Sequence, residues 1–228
     1  ILVPAGITNE YHEPPTFMSV ERPEYNKNII PTTWFDNGFA FYGAMGDFNW
    51  KVALTGDLDG DAIGDGIRSA RKKGVYSKTS SWLKTIQGSW TGMEGLKVGG
   101  SVTMNDAPKS DGSTIGVNLT EFNATYSANN LYARMENGSI SYTDNPSAES
   151  SSGYYLDLGY NIADMVGCDG DLYVWMRNSS YNKDDNDDAT DISLFGLTLK
   201  PLDNISFKLE MGTKDDDDVM RMGLGYMF

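Results

Sequence analysis

Apolar and polar residues alternate along most of this chain. Phe48, Trp50, Val52 and Leu54 take every second place, with Asn49, Lys51, Ala53 and Thr55 between them. Leu96, Val98, Val102 and Met104 oppose Lys97, Gly99, Ser101 and Thr103 in the same way. Tyr154, Leu156, Leu158, Tyr160 and Ile162 oppose Asp157, Gly159 and Asn161, and Met220, Met222, Leu224, Tyr226 and Phe228 oppose Arg221, Gly223 and Gly225. A period of two sends successive side chains to opposite faces of a strand. The pattern predicts about twelve strands, over residues 1–7, 35–45, 48–55, 82–92, 96–104, 115–126, 131–142, 153–162, 171–179, 192–200, 205–212 and 219–228. In 171–179 the two faces cannot be told apart, because Tyr173 and Trp175 compete with Leu172, Val174 and Met176.

The connections alternate too. Long polar stretches (8–34, 56–81, 105–114, 143–152, 183–191, 214–218) take turns with short ones near Gly46, Glu94, Asn129, Cys168 and Asp203. Short turns on one rim and long loops on the other are the habit of transmembrane barrels, whereas Greek-key sandwiches give no reason for it. An even strand count would put both chain ends on the short-turn rim. The apolar face is expected to point outward, because the other face looks too polar for a dry core. It carries Lys51, Lys97, Arg134, Glu136, Asp157, Lys208, Glu210 and Arg221, and charged residues are almost never buried unless paired. These eight are the candidate pore-lining residues. Trp34, Phe35, Trp82, Trp90, Tyr126, Tyr154 and Phe228 near strand ends would form the interfacial girdles.

Composition agrees. The 228 residues include 25 glycines and 12% aromatics, which suit strands and tight turns. Mean hydropathy is −0.41, and no run of about 18 apolar residues offers a transmembrane helix. A formal charge of −14, from 32 acidic against 18 basic residues, argues against nucleic acid as a partner. One cysteine, Cys168, excludes an internal disulfide, and one histidine, His12, leaves little scope for histidine-based catalysis. The opening I-L-V-P-A-G looks like the middle of a strand, so a processed or truncated chain with more strands upstream is expected.

A terminal strand ending on an aromatic, as Val219–Phe228 does, resembles the last strand of bacterial outer-membrane β-barrels. In that family it closes the barrel against the first strand. The stretches G-I-T-N-E-Y-H-E-P-P-T-F (6–17), V-E-R-P (20–23), I-I-P-T-T-W (29–34) and I-R-S-A-R-K-K (67–73) resemble outer-membrane porins of the phosphate-selective O/P type. That resemblance implies a barrel admitting small hydrophilic solutes through a narrowed lumen. It does not imply phosphate selection, since a dense lysine ladder is missing.

Other motifs carry less. His12-Glu13 is followed by Pro14-Pro15, which forbids the helix of an H-E-x-x-H zinc site, and no serine–histidine pairing suggests an esterase. Asp57, Asp59, Asp61 and Asp65 make a candidate weak calcium site, although Arg68 stands where an EF-hand needs glutamate. Arg68, Arg71, Lys72 and Lys73 are the one dense basic cluster, a candidate constriction or anion-binding loop. Asn118, Asn123, Asn137, Asn178 and Asn204 begin N-x-S/T sequons that read as polar wall chemistry.

The sequence thus predicts an all-β chain, one domain over 1–228: a transmembrane antiparallel up-and-down β-barrel of a Gram-negative outer membrane. It is expected to be a non-enzymatic porin-like channel of weak anion preference. The alternative is a non-conducting structural or adhesive barrel with acidic cation-binding loops. No cofactor is expected beyond structural Ca²⁺ or Mg²⁺ in those loops. The expected partners are outer-membrane lipid and lipopolysaccharide, small solutes and a homo-oligomeric copy.

Overall fold

The computed structural model describes residues 1–228. Its frame is one antiparallel sheet of eleven strands in sequence order. These are β1 (Gly38–Met45), β2 (Phe48–Thr55), β3 (Leu83–Met93), β4 (Leu96–Pro108), β5 (Thr114–Ala128), β6 (Leu131–Thr143), β7 (Ser150–Asn161), β8 (Asp171–Asn182), β9 (Thr190–Leu202), β10 (Ile205–Lys214) and β11 (Asp217–Tyr226). Each strand pairs with its sequence neighbours, so the topology is a plain up-and-down meander, and β1 and β11 form the two edges. The turns near Gly46, Glu94, Asn129 and Asp203 fall on one rim as expected, together with the longer connection near Cys168, which carries a short helix over Ala163–Val166. Asn129 and Asn130 both take positive φ, 52° and 64°, the backbone a two-residue hairpin turn needs and asparagine tolerates.

Three expectations are corrected. Residues 1–7 are not a strand. Leu2 makes a single bridge to Phe35, and the chain then leaves the sheet into a short helix, α1 (Ile7–Glu10). The strand count is therefore eleven rather than twelve, and β1 begins on the rim opposite the short turns. The acidic run near 214–218 is not a long loop either. Lys214 pairs with Asp217, leaving Asp215 and Asp216 as a two-residue turn.

Residues 1–36 form a closed excursion. The Ile1 ammonium donates to the Asp36 carbonyl at 2.8 Å, Asp36 N–H donates back to Ile1, and Val3 N–H donates to Trp34. Asn9 ties the neck, its amide donating to both the Val3 and Trp34 carbonyls while its oxygen accepts from Trp34 N–H. This excursion lies against one face of the sheet, and its contacts require strong curvature. Glu10 meets Lys51 on β2, and Pro14 meets Lys208 on β10. Four residues of chain span at most about 14 Å. In a flat sheet, eight strand spacings would set β2 and β10 roughly 38 Å apart. The sheet therefore wraps around the excursion, which occupies its concave side.

The concave side is not uniformly wet, contrary to expectation. In the half nearer the long loops a core of 19 buried residues joins excursion to wall. Val3, Tyr25, Ile29, Ile30 and Trp34 pack against Leu83, Ile115, Val117, Leu119, Ile140 and Tyr142. Trp34, expected in a girdle, is 2% exposed here.

The two faces also exchange character along the strands. On β5 the inward side chains Ile115, Val117 and Leu119 give way to Glu121 and Asn123, while the outward Asn118 and Thr120 give way to Phe122. On β6 the outward Ala133 and Met135 are followed by Asn137, Ser139 and Ser141, just where the inward Arg134 and Glu136 are followed by Ile140 and Tyr142. On β9 Ser193 precedes Phe195 and Leu197 outside, while Leu194 precedes Gly196 and Thr198 inside. Residues paired across strands share a face. The register sets Thr120 opposite Ser139 and Ser139 opposite Ser152, with Met135 opposite Leu156, Leu158 opposite Met176 and Met176 opposite Phe195. One polar-to-apolar boundary thus runs across β5–β9 on the outside. On β5, β6 and β9 its mirror image runs inside at about the same level, whereas β7 and β8 keep Ser151 and Ser179 inside above it.

Candidate functional site

On the concave face the charged wall residues are spent on the excursion's main chain. Lys208 donates to the carbonyls of Pro14, Phe17 and Ser19, the last two at 2.6 and 2.8 Å. Its ammonium sits 4.0 Å from the centre of the Phe17 ring. Arg134 donates to the Thr16 carbonyl, the Thr8 hydroxyl and the Tyr155 hydroxyl, each at 3.0 Å. Glu136 accepts from Ile7 N–H, the Asn26 amide and the Tyr155 hydroxyl. Glu210 accepts from Val20 N–H at 2.7 Å and pairs with Arg221. Arg177 forms a two-toothed pair with Asp157, at 2.6 and 2.7 Å, and also donates to the Glu21 carbonyl. An irregular buried segment must find partners for its backbone groups, and the wall supplies them. Gly6 is needed where the segment passes closest. Its φ is 76°, and a Cβ would lie 2.5 Å from Glu136 Oε1.

The excursion shields the inner side of β7–β10 and the long-loop half of β5 and β6, but leaves much of β2–β4 and the short-turn ends of β5 and β6 uncovered. Two adjoining cavities lie there, of about 290 and 240 Å³. Both are bordered by Glu10, Tyr11, Gln87, Ser89 and Lys97. Lys51 pairs with Glu10. Lys97 makes no ion pair, and its ammonium lies 6.0 Å from the Tyr11 ring centre. A third cavity, about 410 Å³, opens on the far side of the excursion between Arg22, Lys27 and Arg68, with Glu21 and Glu24 also on its edge. Glu24 is taken up by Lys214 at 2.7 Å.

The eight wall residues chosen from sequence parity all lie on the concave side, but they separate into two groups. Lys51 and Lys97 face the cavities, and Arg134 contributes to the wall of one of them. Glu136, Asp157, Lys208 and Glu210 are sealed beneath the excursion, at 0–5% exposure, and so cannot line an open path. Arg221 serves Glu210. Sequence reading missed Arg177, which lies on the strand whose faces were ambiguous. Its position opposite Asp157 in the register is the signal that resolves it. Glu10 and Tyr11 were missed because nothing in a proline-rich loop reveals that it folds inward.

The basic loop is a clamp. Arg68 donates to the Lys27 carbonyl, Arg71 donates to the Thr32 carbonyl at 2.6 Å, and Lys72 pairs with Asp59. Lys73 bends the chain at a φ of 54°. The candidate calcium site is corrected, since its four carboxylates diverge. Asp57 accepts from Ser80 and Ser81 N–H and from the Asn105 amide, Asp59 pairs with Lys72, Asp61 accepts from Ser110 N–H, and Asp65 pairs with Lys183. No three His, Cys, Asp or Glu side chains gather as a metal site would need. In the outer loops, the Ser150 and Glu149 N–H groups hold Asp185 below the usual carboxylate range. The Ser113 hydroxyl and N–H do the same for Asp111. Both are exposed.

No protein-family model matches the chain. An uncharacterized protein of Aquifex aeolicus (strain VF5) is 25% identical over 265 residues, an alignment covering 100% of this chain and 61% of that protein. The chain therefore spans about three fifths of that relative's length. Among solved structures, a porin refined at 1.8 Å resolution is similar, with a TM-score of 0.56 and 14% identity over 84% of this chain and 61% of that one. That likeness shows a porin-like fold.

Proposed function

We propose that the sheet is part of the wall of a bacterial outer-membrane β-barrel, and that the protein is a passive porin-like channel for small hydrophilic solutes. The reading involves no catalysis and no cofactor. One observation carries it: both faces exchange character on β5, β6 and β9, along an outer boundary that continues across β7 and β8. Below that line the outside is a continuous apolar band and the inside is polar, the arrangement of a membrane barrel. Above it these strands are polar outside, and β5, β6 and β9 are apolar inside, as in a protein standing in water or among lipopolysaccharide sugars. The porin-like fold and the uncovered polar wall of β2–β4 support the same reading. Val52 lies in the outward apolar band, where Val52→Arg is expected to cost about 2–4 kcal/mol if it reaches the bilayer midplane. Urea unfolding in lipid vesicles measures this, and a loss near zero would place β2 outside the bilayer.

The charge along the uncovered surfaces favours weak anion preference. Glu10 is neutralised by Lys51, Glu24 by Lys214, and Lys97, Arg22, Lys27 and Arg68 have no carboxylate partner, against Glu21. Low-dielectric walls make such charges count more than the acidic loops, which salt screens beyond about 8–10 Å. The expected result in a planar bilayer is ion conductance with a reversal potential favouring anions, shifted toward cations by Lys97→Glu. A cation-selective wild type would overturn the preference. An absence of conductance would favour the non-conducting structural barrel, for which the dry core between excursion and wall speaks.

A further inference from the structure

Several polar side chains without protein partners gather around the 290 Å³ cavity. Under the excursion, charged and amide groups are matched with main-chain or side-chain partners. Around this cavity the side chains of Gln87, Ser89 and Thr125 bond to no protein group, and Lys97 has no carboxylate. These four come from β3, β4 and β5, so rigid strands hold them in place. The half-exposed ring of Tyr11 forms the remaining side.

We propose that this cavity is a binding station for a polyhydroxylated solute bearing one carboxylate, a sugar acid. The neutral groups are a mixture of hydroxyls and an amide, which both donate and accept, as sugar hydroxyls do. The Tyr11 ring gives an apolar face for the C–H side of a sugar. Lys97 is the one unspent cation. Arg134 has its guanidinium committed to Thr8, Thr16 and Tyr155, and Lys51 is committed to Glu10. A single ammonium suits a monocarboxylate, whereas a phosphate dianion calls for more than one free cation. The volume lies at the lower edge of ordinary ligand clefts, enough for one small solute. The biological purpose rests on the channel reading, while the binding chemistry does not.

Calorimetric titration of the full-length protein in detergent with sodium gluconate tests it. Saturable binding is expected, with D-glucose weaker by about tenfold and Lys97→Gln weakening gluconate by about tenfold, as loss of a charge-assisted contact implies. The glucose comparison needs no variant. Heat no greater than that of sodium chloride at equal ionic strength would overturn the proposal. So would equal affinity for glucose, preference for inorganic phosphate, or no effect of Lys97→Gln. Binding without bilayer conductance would sink the channel reading and leave the site standing. Conductance without binding would do the reverse.

Discussion

Asp157→Ala is expected to destabilise the protein by about 3–5 kcal/mol, because it strands a buried guanidinium. Asp157 is fully buried and Arg177 is 3% exposed. Their two contacts, at 2.6 and 2.7 Å, are the guanidinium's only neutralising ones. The Glu21 carbonyl at 3.3 Å and the Tyr155 ring at 5.6 Å supply dipoles but no charge. Removing the carboxylate alone leaves a cation in a site closed to water. The double change Asp157→Leu with Arg177→Met should recover most of the loss, since apolar replacements of a buried pair are often tolerated. Urea unfolding in detergent, followed by tryptophan fluorescence, gives both values. A single-variant loss below about 1 kcal/mol is the behaviour of an exposed pair, and would mean that water reaches β7 and β8 beneath the excursion.

Lys208→Met has the second large effect, and it reaches function. One ammonium satisfies three carbonyls, those of Pro14, Phe17 and Ser19. A carbonyl buried without a partner costs about 1–3 kcal/mol, and the three losses will not add fully. A cost on the order of 3–5 kcal/mol is expected, with residues 14–20 loosened from β10. Limited proteolysis should then cut between residues 13 and 24, and, on the channel reading proposed above, single-channel conductance should rise as the covered wall opens. Lys214→Met is the comparison. Its pair with Glu24 is partly exposed, at 36% and 17%, and should matter by less than about 1 kcal/mol. An unchanged protease pattern and conductance in Lys208→Met would show that the nineteen-residue core holds the excursion without help from this lysine.

The sequence by itself determined the sheet. Period-two alternation does not depend on context, because successive side chains of a strand must point to opposite sides. Phe48–Thr55 and the stretch around Leu96–Met104 were therefore legible as strands, and paired glycine or asparagine turns located the hairpins. Inward placement of Lys51, Lys97 and Lys208 followed from the same parity. What alternation cannot convey is what covers a face. Lys97 and Lys208 read alike in sequence, yet Lys208 is buried under three carbonyls while Lys97 borders open space. The difference lies entirely in residues 1–36, whose neck closes through Asn9 and whose path is fixed by wall residues more than a hundred positions away, such as Glu136 and Glu210. The opening I-L-V-P-A-G looks like a strand, and only the tertiary structure decides that Val3 and Ala5 pack into a core rather than join a sheet. Local pattern fixes which side a residue points to. Long-range packing of an irregular segment fixes whether water reaches it.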